Sequence, residues 1–426
     1  MRCRRWQLGK HLPKHCGVGF ELDADHVATL RIRRYREEMS PLDDRHPSTV
    51  TDWDDARRKA RLRETRLGHR WTTLRRTRLT LLRVAALLIL VLTVFTQYWV
   101  HDVAPERARL ALTEPALLPV ATPAREENWD TAVVDLVGLG GLNASDTAAS
   151  LPALRRMGVV WAIKYDNQGI DSKVIADLVV RAAQMSGVRN IVLVGHSMGG
   201  VIALEVGQHI HLDSDRRLAG VLLDCTPVDL NAVRPESRGR GEDMLRWMGW
   251  LPGARESRAL RLAVETYARR ERFVDRTADP VPTIRFGELG DVLAEVATEK
   301  VLSRNAASNG LIESQFLAIV GGGAIDNLRA LSRPVDGKPR PAIVFIRPRD
   351  AERDRVVDVE YSHQVLIERA GGVDGSLLVV MPRNTGHANP RQAPHEYNKV
   401  IDQQVMPFLQ RYLDQVRGVR SAAAPG

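Results

Sequence analysis

The residues best suited to chemistry are Gly-His-Ser-Met-Gly at 195–199, which directly follow the apolar run 191–194. A strand that ends in Gly-x-Ser-x-Gly and continues into a helix holds its serine on a strained turn, with the hydroxyl above the sheet edge. Glycines at 195 and 199 avoid clashes with the neighbouring strand and helix. The pattern also arises by chance as a structural turn, but here it predicts that Ser197 is a nucleophile.

Alternating strands and helices position this serine. Apolar residues between 174 and 183 recur at helical spacing, with Asp171 or Ser172 as the N-cap. The predicted strands are 131–137, 159–163, 190–194, 218–223, 342–346 and 376–380. Such alternation indicates a mostly parallel sheet with helices on both faces.

The alternation stops between about 228 and 335, where helical segments such as 257–272 predominate, with Ser257 as a candidate N-cap. The simplest account is a helical cap inserted between two strands of the sheet. The last long segment, 395–416, is predicted to be a helix that Pro407 kinks.

This order of elements resembles the α/β-hydrolase family over roughly 128–413. The resemblance rests on the serine turn, the glycine-rich loop 138–141, the helical insertion, and an acid and then a histidine near the C-terminus. It implies an α/β fold with a mostly parallel sheet, helices on both faces and a helical cap. It also implies the order nucleophile, acid, histidine along the chain.

The resemblance implies that the general base lies in the loop after the last strand, where His387 follows a glycine. His395, at the start of the final helix, is the less suitably placed alternative. Two backbone N–H groups should stabilise the developing oxyanion. The family pattern assigns them to Met198, just after the nucleophile, and to Leu139, in the loop after the strand 131–137.

The acid should follow the strand 342–346, where Asp350, Asp354 and Asp358 are available. We prefer Asp354 because an apolar pair follows it closely and can pack back on the core, as in the family. Asp350 is the alternative acid, and Asp358 lies rather far along the chain. The acid would orient the imidazole and stabilise the imidazolium.

An apolar stretch from Leu79 to Val100 carries one charge, Arg83. About 20 such residues cross a bilayer of roughly 30 Å, so we expect a transmembrane helix over 79–100 rather than a buried core helix. Ten basic residues lie at 57–78, and the positive-inside rule then puts the N-terminus in the cytoplasm and the rest outside the cell membrane. The basic stretch is expected to contact anionic lipid headgroups, and no nucleic-acid partner is expected.

Composition fits this organisation, because the net charge of +9 lies in the first 80 residues and the rest of the chain is neutral. Cys225 is the one cysteine of the large C-terminal region, which can therefore form no internal disulfide. The predicted organisation is a weakly ordered basic tail (1–78), the transmembrane helix (79–100), a proline-rich linker (101–127), the α/β domain (128–416, with the cap at about 228–335) and a short tail (417–426).

Two other motifs suggest different chemistry. The loop 138–143 is similar to a dinucleotide-binding fingerprint, but Asn143 stands where glycine or alanine is required, and the candidate ribose-binding Asp166 comes late. His209 and His211 could hold a metal, although residues two apart on a helix point in different directions. We therefore expect neither a cofactor nor a metal.

The expected reaction is hydrolysis of a carboxylic ester, of a small molecule or a lipid, through an acyl-serine intermediate. The alternatives from different classes are an inactive, membrane-tethered interaction module, since a fold alone does not give function, and, less favoured, a dinucleotide-binding oxidoreductase. The cap carries an apolar cluster over 244–251 that includes Trp247 and Trp250. This cluster could pack on the core, or cover an acyl pocket and touch the bilayer.

Overall fold

A computed structural model describes the chain from residue 66 to residue 412, except for 276–282, 304, 322, 334, 336–337 and 372–375. Most of the predicted basic tail and the whole of the C-terminal tail lie outside these residues. The chain divides into two compact units, residues 1–92 and residues 93–426.

The described part of the first unit is helical. Helix α1, Arg66–Tyr98, begins in the first unit and ends in the second, where a π-helical turn, Trp99–Val103, and helix α2, Ala104–Leu110, follow it. The continuous stretch Thr77–Leu110 is long and apolar enough to cross a membrane. Its most apolar 18 residues have a mean hydropathy of 2.4, and none of these 18 is buried. The position of the bilayer stays a prediction.

The second unit is built on a seven-stranded sheet. Its strands are β1 Ala116–Ala121, β2 Thr131–Leu136, β3 Val159–Lys164, β4 Asn190–His196, β5 Arg217–Asp224, β8 Ala342–Ile346 and β9 Leu377–Val380, and a small separate hairpin is formed by β6 Val274–Asp275 and β7 Thr283–Ile284. The order in the sheet is β1-β3-β2-β4-β5-β8-β9. Strand β1 pairs antiparallel with β3, and the other neighbours run parallel. The predicted mostly parallel sheet is confirmed.

Both faces of the sheet are covered, as the central strand β4 shows. Successive side chains of a strand point to opposite faces. Ile191 and Leu193 belong to one buried apolar cluster, and Val192 and Val194 belong to the other. A strand that is apolar on both faces is typical of a parallel sheet between two helical layers.

The helices follow the predicted alternation. They are α3 Ser145–Ala149, α4 Ser172–Met185, α5 Met198–Asp213, α6 Pro235–Trp250, α7 Arg258–Ala268, α8 Phe286–Val296, α9 Asn309–Val320, α10 Gly323–Leu331, α11 Val359–Ala370 and α12 Pro394–Val400. Helices α6–α10 lie between β5 and β8, which confirms the helical insertion. Asp171 caps α4 and Ser257 caps α7 through their side chains. A π-helical turn, Ile401–Val405, precedes Pro407 in the last helical segment.

The prediction of a linker over 101–127 is wrong, because this segment holds helix α2 and strand β1. Its prolines suggested irregular chain, since proline cannot donate a hydrogen bond to a sheet. Strand β1, however, lies at the edge of the sheet, where an unpaired side tolerates a proline such as Pro119.

Candidate active site

The serine turn (residues 195–199) has the strained geometry that its sequence predicts. Ser197 has φ 54° and ψ −123°, a conformation that non-glycine residues rarely adopt. Its backbone N–H donates to the carbonyl of Asp224, at the end of β5, over 2.7 Å. A Cβ at Gly195 would collide with the backbone of Gly199, and one at Gly199 would collide with the carbonyl of Leu136. The sharp turn therefore requires both glycines.

Three side chains from distant parts of the sequence meet at this turn. His387 Nε2 lies 2.8 Å from Ser197 Oγ, and His387 Nδ1 lies 2.9 Å from Asp354 Oδ2. Ser197 follows β4, Asp354 follows β8, and His387 follows β9, so all three project from the carboxyl edge of the sheet. This is the geometry of a nucleophile, a base and an orienting acid.

Asp354 is fully buried, and the second oxygen of its carboxylate is also bound. Oδ1 accepts hydrogen bonds from the backbone N–H groups of Val356 (2.9 Å) and Val357 (2.8 Å). Burial disfavours the charged form, but the contacts with His387 and the two amides outweigh it and lower the pKa of Asp354 below its usual value. The carboxylate is therefore ionised where it meets the imidazole.

The other candidate acids and the alternative base lie elsewhere. Asp350 is largely exposed and caps a short 3-10 turn by accepting from the N–H of Glu352. Asp358 caps helix α11. His395 is 85% exposed and contacts Glu396.

The loop that precedes the serine turn lies against it. A Cβ at Gly138 would come within 2.8 Å of the carbonyl oxygen of His196, so Leu139, the next residue, is held close to Ser197. Met198 is fully buried at the first turn of α5. Gly138 therefore lies against the serine turn and Met198 follows the serine directly, while the assignment of the N–H groups of Leu139 and Met198 to the oxyanion stays a prediction.

Gln315, on helix α9 of the cap, holds this loop in place. The Oε1 atom of this fully buried side chain accepts from Gly140 N (2.8 Å), and its Nε2 donates to the carbonyl of Gly141 (2.9 Å). Tyr165 OH donates to the carbonyl of Val137 (3.0 Å). Sequence reasoning missed both residues, because no local pattern links a cap glutamine to a loop far away in the chain.

A second buried network lies beneath the site. His196, inside the serine turn, contacts Asp224 Oδ2 through Nδ1 (2.8 Å) and Asp135 Oδ2 through Nε2 (3.3 Å). Burial opposes a charge on this ring, but the two carboxylates outweigh it and raise the pKa of His196 to about 10. Since both ring nitrogens face carboxylate oxygens, the imidazolium form satisfies both contacts.

This network reaches the loop that carries His387. Tyr397 OH donates to Asp224 Oδ1 (3.0 Å) and accepts from the N–H of Asn389 (3.2 Å). Asn389 Oδ1 in turn accepts from the N–H of Gly386 (3.0 Å). Polar residues at the ends of apolar strands, such as Asp224, were the available sequence signal, and sequence reasoning did not use it.

The residues of the possible metal and cofactor motifs make other contacts. His209 contacts Asp213, and the buried His211 faces the carbonyl of Arg333. The thiol of Cys225 lies close to the carboxylate of Asp354 and the imidazole of His387, and burial raises the pKa of this thiol well above its usual value. Asp166 accepts from Thr113 and from its own loop.

Comparison with known families gives one match to most of the chain. A sequence model described as the Alpha/beta hydrolase family matches residues 115–400, from the start of β1 to the end of α12. No curated protein matches the chain.

Several solved structures are similar to this chain at low identity. An esterase from Exiguobacterium antarcticum is 15% identical, with a TM-score of 0.42 over 70% of this chain and 96% of the esterase. A monoacylglycerol lipase from Paleococcus ferrophilus is 14% identical, with a TM-score of 0.41 over 70% of this chain and 99% of the lipase. A proline iminopeptidase from Mycobacterium smegmatis is 14% identical, with a TM-score of 0.38 over 71% of this chain and 96% of the peptidase.

Proposed function

This chain belongs to the alpha/beta hydrolase family, and from that premise we propose that it cleaves carboxylic esters through an acyl-serine intermediate on Ser197. The observation that carries the proposal is the unbroken hydrogen-bonded series from Ser197 Oγ through His387 to Asp354. The carboxylate of Asp354 is completely buried behind His387, and His387 in turn faces the strained Ser197. Three polar side chains of ordinary surface loops would not be arranged in this way.

In the proposed mechanism, His387 Nε2 takes the proton of the Ser197 hydroxyl as its oxygen attacks the ester carbonyl carbon. The N–H groups of Met198 and Leu139 stabilise the negative charge on the carbonyl oxygen. The carbon–oxygen bond of the ester then breaks, and the leaving alcohol takes the proton from His387. Water, activated by the same imidazole, hydrolyses the acyl-serine and restores the enzyme. Asp354 holds the ring in the required tautomer and stabilises the imidazolium.

Labelling with a fluorophosphonate probe tests the nucleophile and separates the proposal from a non-catalytic interaction module. Such probes phosphonylate activated serines. The full-length protein should be labelled, and Ser197→Ala should not be. His387→Ala should lose labelling, whereas His395→Ala, which removes an exposed histidine of the same region, should keep it. An unlabelled wild-type protein, or labelled Ser197→Ala, would contradict the proposal.

We propose further that residues 79–100 anchor the protein in the cell membrane with the hydrolase domain outside. The support is the long apolar helix and the basic residues that precede it. On this topology the basic stretch 57–78 faces the anionic lipid headgroups of the cytoplasmic leaflet. Protease added to intact cells should digest the hydrolase domain, whereas a cytoplasmic domain would be digested only after lysis.

A further inference from the structure

The cap is attached to residues at the end of the apolar stretch and just after it. Tyr98 OH donates to the carbonyl of Pro252 (3.2 Å). Val103 is completely buried and packs on Gly253, since a Cβ at that glycine would meet its methyl groups at 2.6 and 2.7 Å. The cap residues at 252–253 therefore lie directly on the residues that leave the predicted membrane span.

Polar contacts strengthen this attachment. The Asp102 carboxylate accepts from Ser257 Oγ (2.5 Å) and from the N–H of Arg258 (3.0 Å), at the start of helix α7. Two ion pairs, Arg107–Glu256 and Arg258–Glu106, both at 2.8 Å, flank it. Side chains, backbone groups and a helix cap therefore all contribute to the contact between the cap and the segment 98–107.

Two tryptophans are exposed beside this attachment. Trp247 and Trp250, in the last turn of α6, are 56% and 77% exposed and contact each other edge to face at 6.2 Å. Trp250 precedes Pro252 by two residues. The alternative expectation, that this cluster packs on the core, holds for Met244 but not for the two tryptophans. Large exposed aromatic surfaces of this kind mark an interaction site.

The segment next to the span has the side chains of a membrane interface. Phe95, Tyr98 and Trp99 form an aromatic cluster with ring centroids 6.0–6.2 Å apart, and the Arg107 guanidinium lies 5.0 Å from the Trp99 ring. Tryptophan and tyrosine prefer the headgroup layer, where the ring is apolar and its N–H or O–H is hydrated.

We propose that Trp247 and Trp250 lie in the headgroup layer of the same bilayer that residues 79–100 enter, so that the cap rests on the membrane. The occupant of this aromatic surface is then lipid, and the active site, whose loop at 140–141 is bound by Gln315 of the cap, receives esters with long acyl chains from the bilayer. This proposal rests on the proposed membrane span and on the proposed hydrolase function. It adds to that function the class of ester that the enzyme cleaves.

Quenching by brominated lipid tests the location without any need for activity. The full-length protein is reconstituted in phosphatidylcholine–phosphatidylglycerol vesicles whose acyl chains carry bromine near the glycerol end or near the methyl end. Trp247→Phe/Trp250→Phe should lower the quenched fraction of tryptophan emission. The decrease should be larger in vesicles with bromine near the glycerol end than in vesicles with bromine near the methyl end. The matched control is Trp129→Phe, which removes another exposed tryptophan. Trp129 lies just before β2, at the amino end of the strands, whereas the site lies at their carboxyl end. This variant should not lower the quenched fraction.

The result that overturns the proposal is an unchanged quenched fraction in the double variant. A second copy of the chain or a soluble partner on this surface would give that result, because the two tryptophans would then be shielded from lipid.

A kinetic measurement tests the supply of substrate. Trp247→Glu/Trp250→Glu should hydrolyse a long-chain ester dissolved in the vesicles about tenfold more slowly, because two charges oppose insertion of the surface. Its rate on a water-soluble acetate ester should stay unchanged. Equal rates on both esters for variant and wild type would overturn the supply of substrate from the bilayer. A wild-type protein that hydrolyses neither ester would instead refute the proposed function, and the quenching result would still report the location of the two tryptophans.

Discussion

The hydroxyl of Tyr397 donates a 3.0 Å hydrogen bond to the carboxylate of Asp224, and this contact joins the two halves of the candidate site. The backbone carbonyl of Asp224 fixes the N–H of Ser197, and Tyr397 accepts from Asn389, in the loop that carries His387. The distance between nucleophile and base therefore depends on a buried polar contact that touches neither of them.

Tyr397→Phe should consequently weaken the positioning of Ser197 and His387 while leaving both catalytic side chains in place. The change removes one donor and leaves the N–H of Asn389 without its partner, which costs about 1–3 kcal/mol in the free energy of unfolding. We expect kcat to fall severalfold while KM stays constant, because the substrate does not touch Tyr397. Denaturant unfolding and ester kinetics measure the two effects. Tyr267→Phe, at an exposed tyrosine of the cap, is the control and should change neither.

Asp354→Asn should nearly abolish turnover. The amide cannot orient the imidazole as the buried carboxylate does, and kcat should fall on the order of 10⁴-fold, as for the acid of a comparable triad. Asp350→Asn changes an exposed aspartate four residues away and should retain wild-type activity. Steady-state hydrolysis of a soluble ester measures both. Equal losses in the two variants would show that the acid has been assigned wrongly.

The buried imidazolium of His196 predicts a stability difference that depends on pH. Its pKa is raised in the folded protein to about 10, against about 6.5 in the unfolded chain. The stabilisation is therefore complete below about pH 6.5 and is lost as the pH rises through about 10. His196→Asn should be less stable than wild type at pH 6, and the difference should shrink towards pH 10.

Thermal unfolding of the two proteins across this pH range provides the measurement. His395→Asn, at an exposed histidine, should follow the wild-type curve throughout. A stability difference between wild type and His196→Asn that is constant from pH 6 to pH 10 would mean that His196 carries no charge in the folded protein.

Gln315→Met should impair the oxyanion-binding loop while keeping the volume of the side chain. Both hydrogen bonds to the backbone of Gly140 and Gly141 are lost, so the loop that carries the proposed oxyanion donor Leu139 is held less firmly. We expect kcat to fall about tenfold, part of the 10²–10³-fold effect of losing an oxyanion donor completely. Gln184→Met, at an exposed glutamine position on α4, is the matched control. Unchanged kcat in Gln315→Met would show that Gln315 of the cap does not contribute to catalysis through this loop.

Sequence patterns predicted the features that depend on neighbouring residues in the chain, such as the serine turn. The strain at Ser197 requires glycines at fixed positions beside it, so the turn can be recognised in five residues. His387 lies in the loop that the family order assigns to the base. The apolar pair after Asp354 favoured it over Asp350 in the sequence. Only the packed structure shows that the Asp354 carboxylate is buried and accepts two backbone N–H groups.

The features that sequence reasoning missed depend on contacts between distant segments. Gln315 and Gly140 meet because the cap folds back over the sheet, and no spacing rule encodes that contact. Strand β1 was taken for linker because Pro119 is unfavourable in most strands, and its edge position became visible only in the sheet order. The charge on His196 likewise follows from two aspartates on neighbouring strands.

The most direct test of the central claim is to trap the acyl-enzyme. The full-length protein is mixed with a slowly deacylating p-nitrophenyl ester, quenched in acid within the first turnover, digested and examined by tandem mass spectrometry. The account predicts one added acyl group on the peptide that contains Ser197, assigned by fragment ions to that residue. Trapping in His387→Ala should yield none. Ester turnover without an acyl group on Ser197, or with the group on another residue, would contradict it.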